Sequence, residues 1–273
     1  LVVVDRTLRR INLYHPDEGF VRGATADPAI TGYLLVSGMF ASGSPLVWNS
    51  EWNVDMPNGL YRFPLNYFSV GLDGSVETDF GSFPGDETVY NSRAMEGGTM
   101  VTSTPRPFSR SAVAAVSGRS FFYGSQDSYE IRVLDQSGEL SRIIRRDKAP
   151  APVTDAQVEA VLAEMVDEAD DDDQSREFRR MFREAPIPEE HPAHGAIYAD
   201  KLGFLWVEEY RLPGEESRIT TVFDPEGRVV ETLVLPPGLR IEEIGEDYIL
   251  GVYRDELGVE YLRSYDLTRG EET

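Results

Sequence analysis

The chain has 273 residues, 41% of them hydrophobic, no cysteine, and 48 acidic against 26 basic residues, for a formal charge of −22. The absence of cysteine excludes disulfides, thiolate metal sites and a cysteine nucleophile, and the acidic balance lacks the basic footprint that nucleic-acid binding needs. No apolar run approaches the ~20 residues of a membrane span, so membrane insertion is not expected either.

In chain order, a first unit (residues 1–27) opens inside a strand pattern, LVVVDRTLRR, without an initiating Met, as expected of a trimmed chain or a fragment. It continues into RINLYHPDEGFVR (10–22), two alternating runs around an Asp/Gly turn that leaves His15 exposed. The second unit (28–85) turns near Ser42 to Ser44 and again in NYFSVGLDGSVET (66–78). The third (107–147) turns at Ser117 to Arg119 and in YEIRVLDQSGELSR (129–142). The fourth (195–237) turns at Asp200 to Gly203 and in SRITTVFDPEGRVVETLVLPP (217–237). The fifth (238–270) turns at Gly245 to Asp247 and ends in EYLRSYDLTRG.

Asp and Gly supply the positive-φ positions and local side-chain bonds of tight hairpins. Alternation places Ile219, Thr221 and Phe223 on one face and Thr220 and Val222 on the other. Both faces carry apolar groups, as in a sheet stacked between two others. Four-stranded units repeating at roughly 40 to 50 residues predict an all-β chain folded as a β-propeller. The first unit lacks its inner strand and the last its outer strand.

The propeller reading carries a resemblance. LVVVDRTLRRINLYHPDEGFVR (1–22), GSFPGDETVY (81–90), RPFSRSAVAAVSGRSFFYGSQDSYEIRVLDQSGELSRIIRR (106–146) and GFLWVEEYRLPGEESRITTVFDPEGRVVETLVLP (203–236) resemble the bacterial six-bladed β-propellers related to NHL-repeat proteins. The resemblance spans nearly the whole chain and implies one blade missing upstream and an extracytoplasmic location. The chain departs from it in having GATADPAITG (23–32) where a glycine-rich segment of the GPGE type is expected.

One stretch interrupts the repeat. Residues 153–188 read as a helical hairpin inserted in a single propeller domain. Thr154 with Gln157 makes a capping box, and Val158, Val161, Leu162, Met165 and Val166 recur at helical spacing. Ser175 is placed to cap a second helix carrying Phe178, Met181 and Phe182, which Pro186 ends.

The long connections point to one face. The insert, the stretch Ser82–Arg106 and the extended Asn53–Pro64 all emerge there if the blades are in register, and sites concentrate on loops held by a rigid scaffold. Trp48, Trp52, Tyr61 and Arg62 flank one such loop, and Arg106 and Phe108 close another; together they are the candidate ligand-binding residues, although the same aromatics suit blade packing. His191 and His194 are a candidate metal pair, but Pro192 argues against a helix and two histidines are too few ligands. The acidic run Asp167–Asp173 is a candidate Ca²⁺ loop that lacks the turn-forming glycine. Pro84–Glu87 reads as turn chemistry or a loop acid pair. No cofactor is expected, and no nucleophile, phosphate-loop or zinc-protease motif is present.

The expected function is therefore a non-enzymatic propeller that binds an unknown protein or small-molecule ligand. The alternative is a metal-dependent, lactonase-like hydrolase or lyase with its site in the central channel. Propeller lactonases draw Glu, Asn and Asp from several inner strands, a set not plain at Ile30, Ala112, Ala196 and Leu239, where these inner strands are expected to start. A third possibility is that the helical hairpin docks a partner.

Overall fold

A computed structural model describes residues 1–50, 56–95, 98–168, 173–212, 214–215 and 217–269. The fold is a series of five antiparallel sheets, the blades of a β-propeller. Blade one comprises β1 (Val2–Asp5), β2 (Arg10–His15) and β3 (Gly19–Thr25). Blade two comprises β4 (Leu35–Met39), β5 (Pro45–Ser50), β6 (Gly59–Val70), β7 (Val76–Met95) and β8 (Gly98–Pro105). Blade three is β9 (Val113–Ser117), β10 (Ser120–Gly124), β11 (Glu130–Asp135) and β12 (Leu140–Arg145). Two helices follow, α1 (Asp155–Glu168) and α2 (Asp173–Glu184). Blade four is β13 (Ile197–Ala199), β14 (Leu205–Glu208), β15 (Arg218–Phe223) and β16 (Val229–Leu235). Blade five is β17 (Leu239–Ile244), β18 (Tyr248–Arg254) and β19 (Glu260–Asp266).

The core lies between successive blades. Ile11, Ile30, Leu34, Val47 and Val70 join blades one and two. Tyr67, Phe83, Phe121 and Tyr123 join blades two and three, with Phe83 and Tyr123 centroids 4.6 Å apart. Phe223 packs toward blade three with Ile131 and Tyr129, while its neighbour Val222 packs toward blade five with Leu239 and Ile241. This is the two-faced burial that the alternation predicts. Each such side chain, fully buried, contributes about 1.5–3 kcal/mol.

The turns repeat one chemistry. Asp135 Oδ1 accepts from the backbone N–H of Ser137 and Glu139, Asp200 Oδ1 from Leu202 and Phe204, and Asp224 Oδ1 from Glu226 and Arg228. The glycine three residues after each aspartate has positive φ: 90° at Gly138, 88° at Gly203 and 86° at Gly227. On the propeller face opposite the helices, the turns between first and second strands link neighbouring blades. Ala41 N–H donates to Gly118 O at 2.7 Å, Ser117 Oγ to Asp200 O at 2.5 Å, and Lys201 N–H to Ile244 O at 3.3 Å.

Two expectations change. Residues 82–95 and 98–105, read as a loop, are strand: β7 runs on through Met95 and β8 adds a fifth strand to blade two. Phe83, Gly85, Glu87 and Val89 are all buried at period two, but a glycine and a glutamate hide that alternation from a hydrophobicity count. The second helix begins at Asp173, so Ser175 lies inside its first turn rather than capping it.

The first helix starts as expected. Gln157 Oε1 accepts from Thr154 N–H at 2.9 Å, and Gln157 N–H donates back to Thr154 Oγ1 at 3.4 Å, the reciprocal bonds of a capping box. The ends of the insert are held side by side by the Pro152–Glu190 bridge and the Val153 N–H to Glu189 O bond of 2.9 Å. Met181 and Phe182 of α2 are buried, and Thr102 Oγ1 of β8 reaches Met181 Sδ at 3.6 Å. Strand β8 is thus part of the platform on which the insert rests.

Candidate functional site

The inner strands β4, β9, β13 and β17 surround an axial cavity of about 720 Å³. Its wall mixes short side chains such as Gly38 and Ala114 with larger ones such as Phe40, Tyr198 and Ile241. Tyr198 of β13 lines this cavity and also a second one, of about 480 Å³, at the end where the inner strands begin. This channel mouth is formed by the segments entering β9, β13 and β17 and by the loops after β10 and β14. The helical insert leaves and rejoins the propeller on the same face.

The charged groups at the mouth are mostly paired. Arg218 bonds Glu208, with both side chains largely buried. Burial, with the Glu208 charge adding to it, pushes the Tyr198 hydroxyl up to about 12. Glu209 is bridged by Arg146 at 2.6 Å and by Lys148. Arg146 also donates to Thr221 Oγ1 at 2.9 Å and lies over the Tyr129 ring, 5.2 Å from its centroid. Arg240 bonds Glu242 at 2.7 Å. By contrast, Arg211, Ser109, Ser111 and Tyr210 line the cavity with no side-chain hydrogen bond or ion pair among the described residues, and Tyr210 and Arg211 also line a neighbouring cavity of about 700 Å³.

Two residues at this site carry unusual backbone. Phe108 and Gln126 have φ of 53° and 63°, in the left-handed region that side chains with a Cβ seldom adopt. Gln126 is buried and over-determined: its Oε1 accepts from Ser111 N–H at 2.7 Å, its Nε2 donates to Gly195 O at 3.2 Å, and its carbonyl accepts from Ala193 N–H at 3.0 Å. It ties together the entries to β9 and β13. Strained positions held this firmly cluster at functional sites.

The structure separates the sequence candidates. Arg62 binds Asp127 through both carboxylate oxygens at 2.7 and 2.8 Å and donates to Gly85 O and Ser125 O. Arg106 binds Glu87 at 2.8 and 3.0 Å and donates to Pro186 O at the end of the insert. Burial raises the Glu87 pKa, but the Arg110 N–H and the Arg106 guanidinium outweigh it and hold the carboxyl below its ordinary range. Tyr61 stacks on Phe63 and donates to Pro57 O, and Trp48 packs beside Tyr67. Trp52 lies outside the described residues, as does the centre of the acidic run, 169–172. Phe108 is buried with its ring edge-on to His191. Arg62, Arg106 and Phe108 thus hold blades and insert together.

The two histidines do not converge. His191 Nε2 bonds Gln157 Oε1 at 3.1 Å, and its ring lies between Phe108 and Tyr210. His194 Nδ1 donates to Gly195 O at 2.9 Å, while its Nε2 is buried against Gly124 without a partner. Burial lowers both pKa values. Among the described residues no three His, Asp or Glu side chains are grouped to hold a metal. His15 is exposed at its hairpin, as expected.

The residues that do face the mouth, Ser109, Ser111, Tyr210 and Arg211, belong to no motif. Register holds a signal for them: each lies just before an inner strand or just after a second strand.

No family model and no curated protein matches this chain. It is similar to the crystal structure of Citrobacter koseri AztD, at 10% identity and TM-score 0.37, covering 100% of this chain and 58% of that one. The chain thus spans less than two thirds of the AztD structure. It is also similar to a luciferin-regenerating enzyme (9% identity, TM-score 0.28, 97% and 86% covered) and to the AfRom2 CNH domain (10%, 0.28, 99% and 81%). Likenesses of this size carry no functional argument, and the propeller assignment rests on the blades themselves.

Proposed function

We propose that residues 1–273 form one propeller domain that binds a ligand non-enzymatically at its channel mouth. The observation that carries this reading is the mouth cavity itself, where polar groups with no partner among the described residues, from the segments flanking blades three and four, meet beside the strained and firmly held Gln126. The placement of the insert on the same face supports it. The six-bladed parent ring and the extracytoplasmic location remain part of the proposal and rest on the family resemblance. A small molecule is the favoured ligand, because a concave cavity suits one better than a flat protein surface.

The test is a small-molecule screen by thermal shift, followed by hydrogen exchange on each hit. Protection at residues 109–111, 208–211 and 238–240, with the compound recovered unchanged, is the expected result. Protection elsewhere, or conversion of the compound with metal added, would overturn the reading, and the second outcome favours the hydrolase alternative.

A further inference from the structure

The mouth has used its negative charges internally. Glu208 and Glu209 are both committed to cations of this chain, as is Arg240 to Glu242. What remains for a ligand, among the described residues, is one guanidinium, Arg211, and three hydroxyls, Ser109, Ser111 and Tyr210. A guanidinium presents a planar fork of donors that matches a carboxylate through two parallel bonds. Hydroxyls both donate and accept, and so suit a partner that itself carries hydroxyls.

From this we infer that the mouth takes a small hydroxylated carboxylate, a sugar acid or hydroxy acid, with its carboxylate on Arg211. The inference rests on the reading of the mouth as a binding site. One uncommitted cation matches one negative charge, which favours a carboxylate over a phosphate monoester with nearly two. The overall charge of −22 opposes any anion at long range. Screening confines that opposition to about 8 Å at physiological salt, so the nearby guanidinium governs binding. Tyr210 is held in place from behind, because its ring stacks on the buried His191 with centroids 5.3 Å apart. Its hydroxyl is therefore presented with little freedom left to lose on binding.

Glucuronate, galacturonate and gluconate are to be titrated into the full chain by calorimetry, each beside its amide, with glucose and glucose 6-phosphate as controls. At least one acid is expected to bind at least about tenfold more tightly than its amide, the ratio expected for hydrogen bonds to a charged group. Arg211→Ala should erase that ratio and Arg211→Lys restore it only in part. Both variants should keep the wild-type melting temperature, since Arg211 is exposed and bonds nothing among the described residues. If no acid binds, or an amide or glucose binds as tightly, or Arg211→Ala leaves the acids unaffected, the carboxylate inference fails. In those cases protection of residues 208–211 by any other compound keeps the mouth as the binding site. Tighter binding of glucose 6-phosphate would overturn the carboxylate in favour of a phosphate, and protection confined to another surface would remove the mouth reading as well.

Discussion

His191 stacks on Tyr210 with ring centroids 5.3 Å apart and planes inclined by 28°. The pair joins the returning end of the helical insert to a wall of the channel mouth, and Gln157 of α1 completes the contact through His191 Nε2. Truncating this ring should loosen both. His191→Ala removes a buried aromatic contact and a hydrogen bond, together about 2 kcal/mol. The expected outcome is faster proteolysis within residues 153–188 and faster hydrogen exchange at residues 209–212, with the far-UV signal of the sheets unchanged. Equal exchange rates in wild type and variant would show that the insert and the mouth are not coupled through this ring.

The same histidine and its neighbour make stability depend on pH with a definite sign. Burial holds the pKa of His191 and of His194 below the ordinary value of 6.5. As pH falls through that value the unfolded chain takes up protons before the folded chain does, so stability must fall. Melting temperature should be level above about pH 7.5 and decline from about pH 6.5 downward, before the carboxylates titrate. His194→Phe should flatten part of this decline, since Gly195 O keeps its bond from Gln126 Nε2. An unaltered slope in that variant would assign the decline to other groups.

Glu87 is the centre of an ion network that spans blades and insert. It accepts from Arg106 and Arg110, while Arg110 and Arg62 share Asp127. Glu87→Gln leaves the buried Arg106 guanidinium without its counter-charge and Arg110 with Asp127 alone, and should cost about 3 kcal/mol by urea denaturation. The double variant Glu87→Gln, Arg106→Met should recover part of that loss. If the double variant is no more stable than Glu87→Gln, the unpaired-charge explanation is wrong.

Two glycines separate backbone strain from steric contact. Gly19 and Gly227 have φ of 77° and 86°. A Cβ on Gly19 would meet nothing within 4 Å, whereas on Gly227 it would meet Ile144 of the preceding blade at 3.2 Å. Gly19→Ala should cost about 1 kcal/mol from strain alone. Gly227→Ala should cost more, and in an Ile144→Ala background, which removes the Cγ1 that the new Cβ would meet, the added cost should fall toward that at Gly19. Equal losses for the two alanine variants would mean that the turn of blade four does not press on blade three.

The insert should be separable from the sheets. Val153 N–H already bonds Glu189 O, so replacing residues 154–188 with Asn-Gly closes the chain with a two-residue hairpin turn. The variant should fold with its β signal intact and its helical signal lost, as measured by circular dichroism. Loss of the β signal would show that α2 is part of the propeller core.

The amino-acid sequence by itself determined the blades, the turns and the existence of the insert. These are local: alternation at period two, an aspartate followed three residues later by a glycine, and a Thr154–Gln157 capping box each act within a few residues. It did not show that residues 82–90 continue a strand, since Gly85 and Glu87 take buried positions that usually hold apolar groups. Nor could it divide the polar residues of that face into those that hold the fold and those left for a ligand. Arg62, Arg106 and Arg211 are alike as letters. The first two find Asp127 and Glu87 across 65 and 19 residues of chain, and the third finds no partner among the described residues. Ion pairing depends on distance in space, and only the closing of one blade on the next sets that distance.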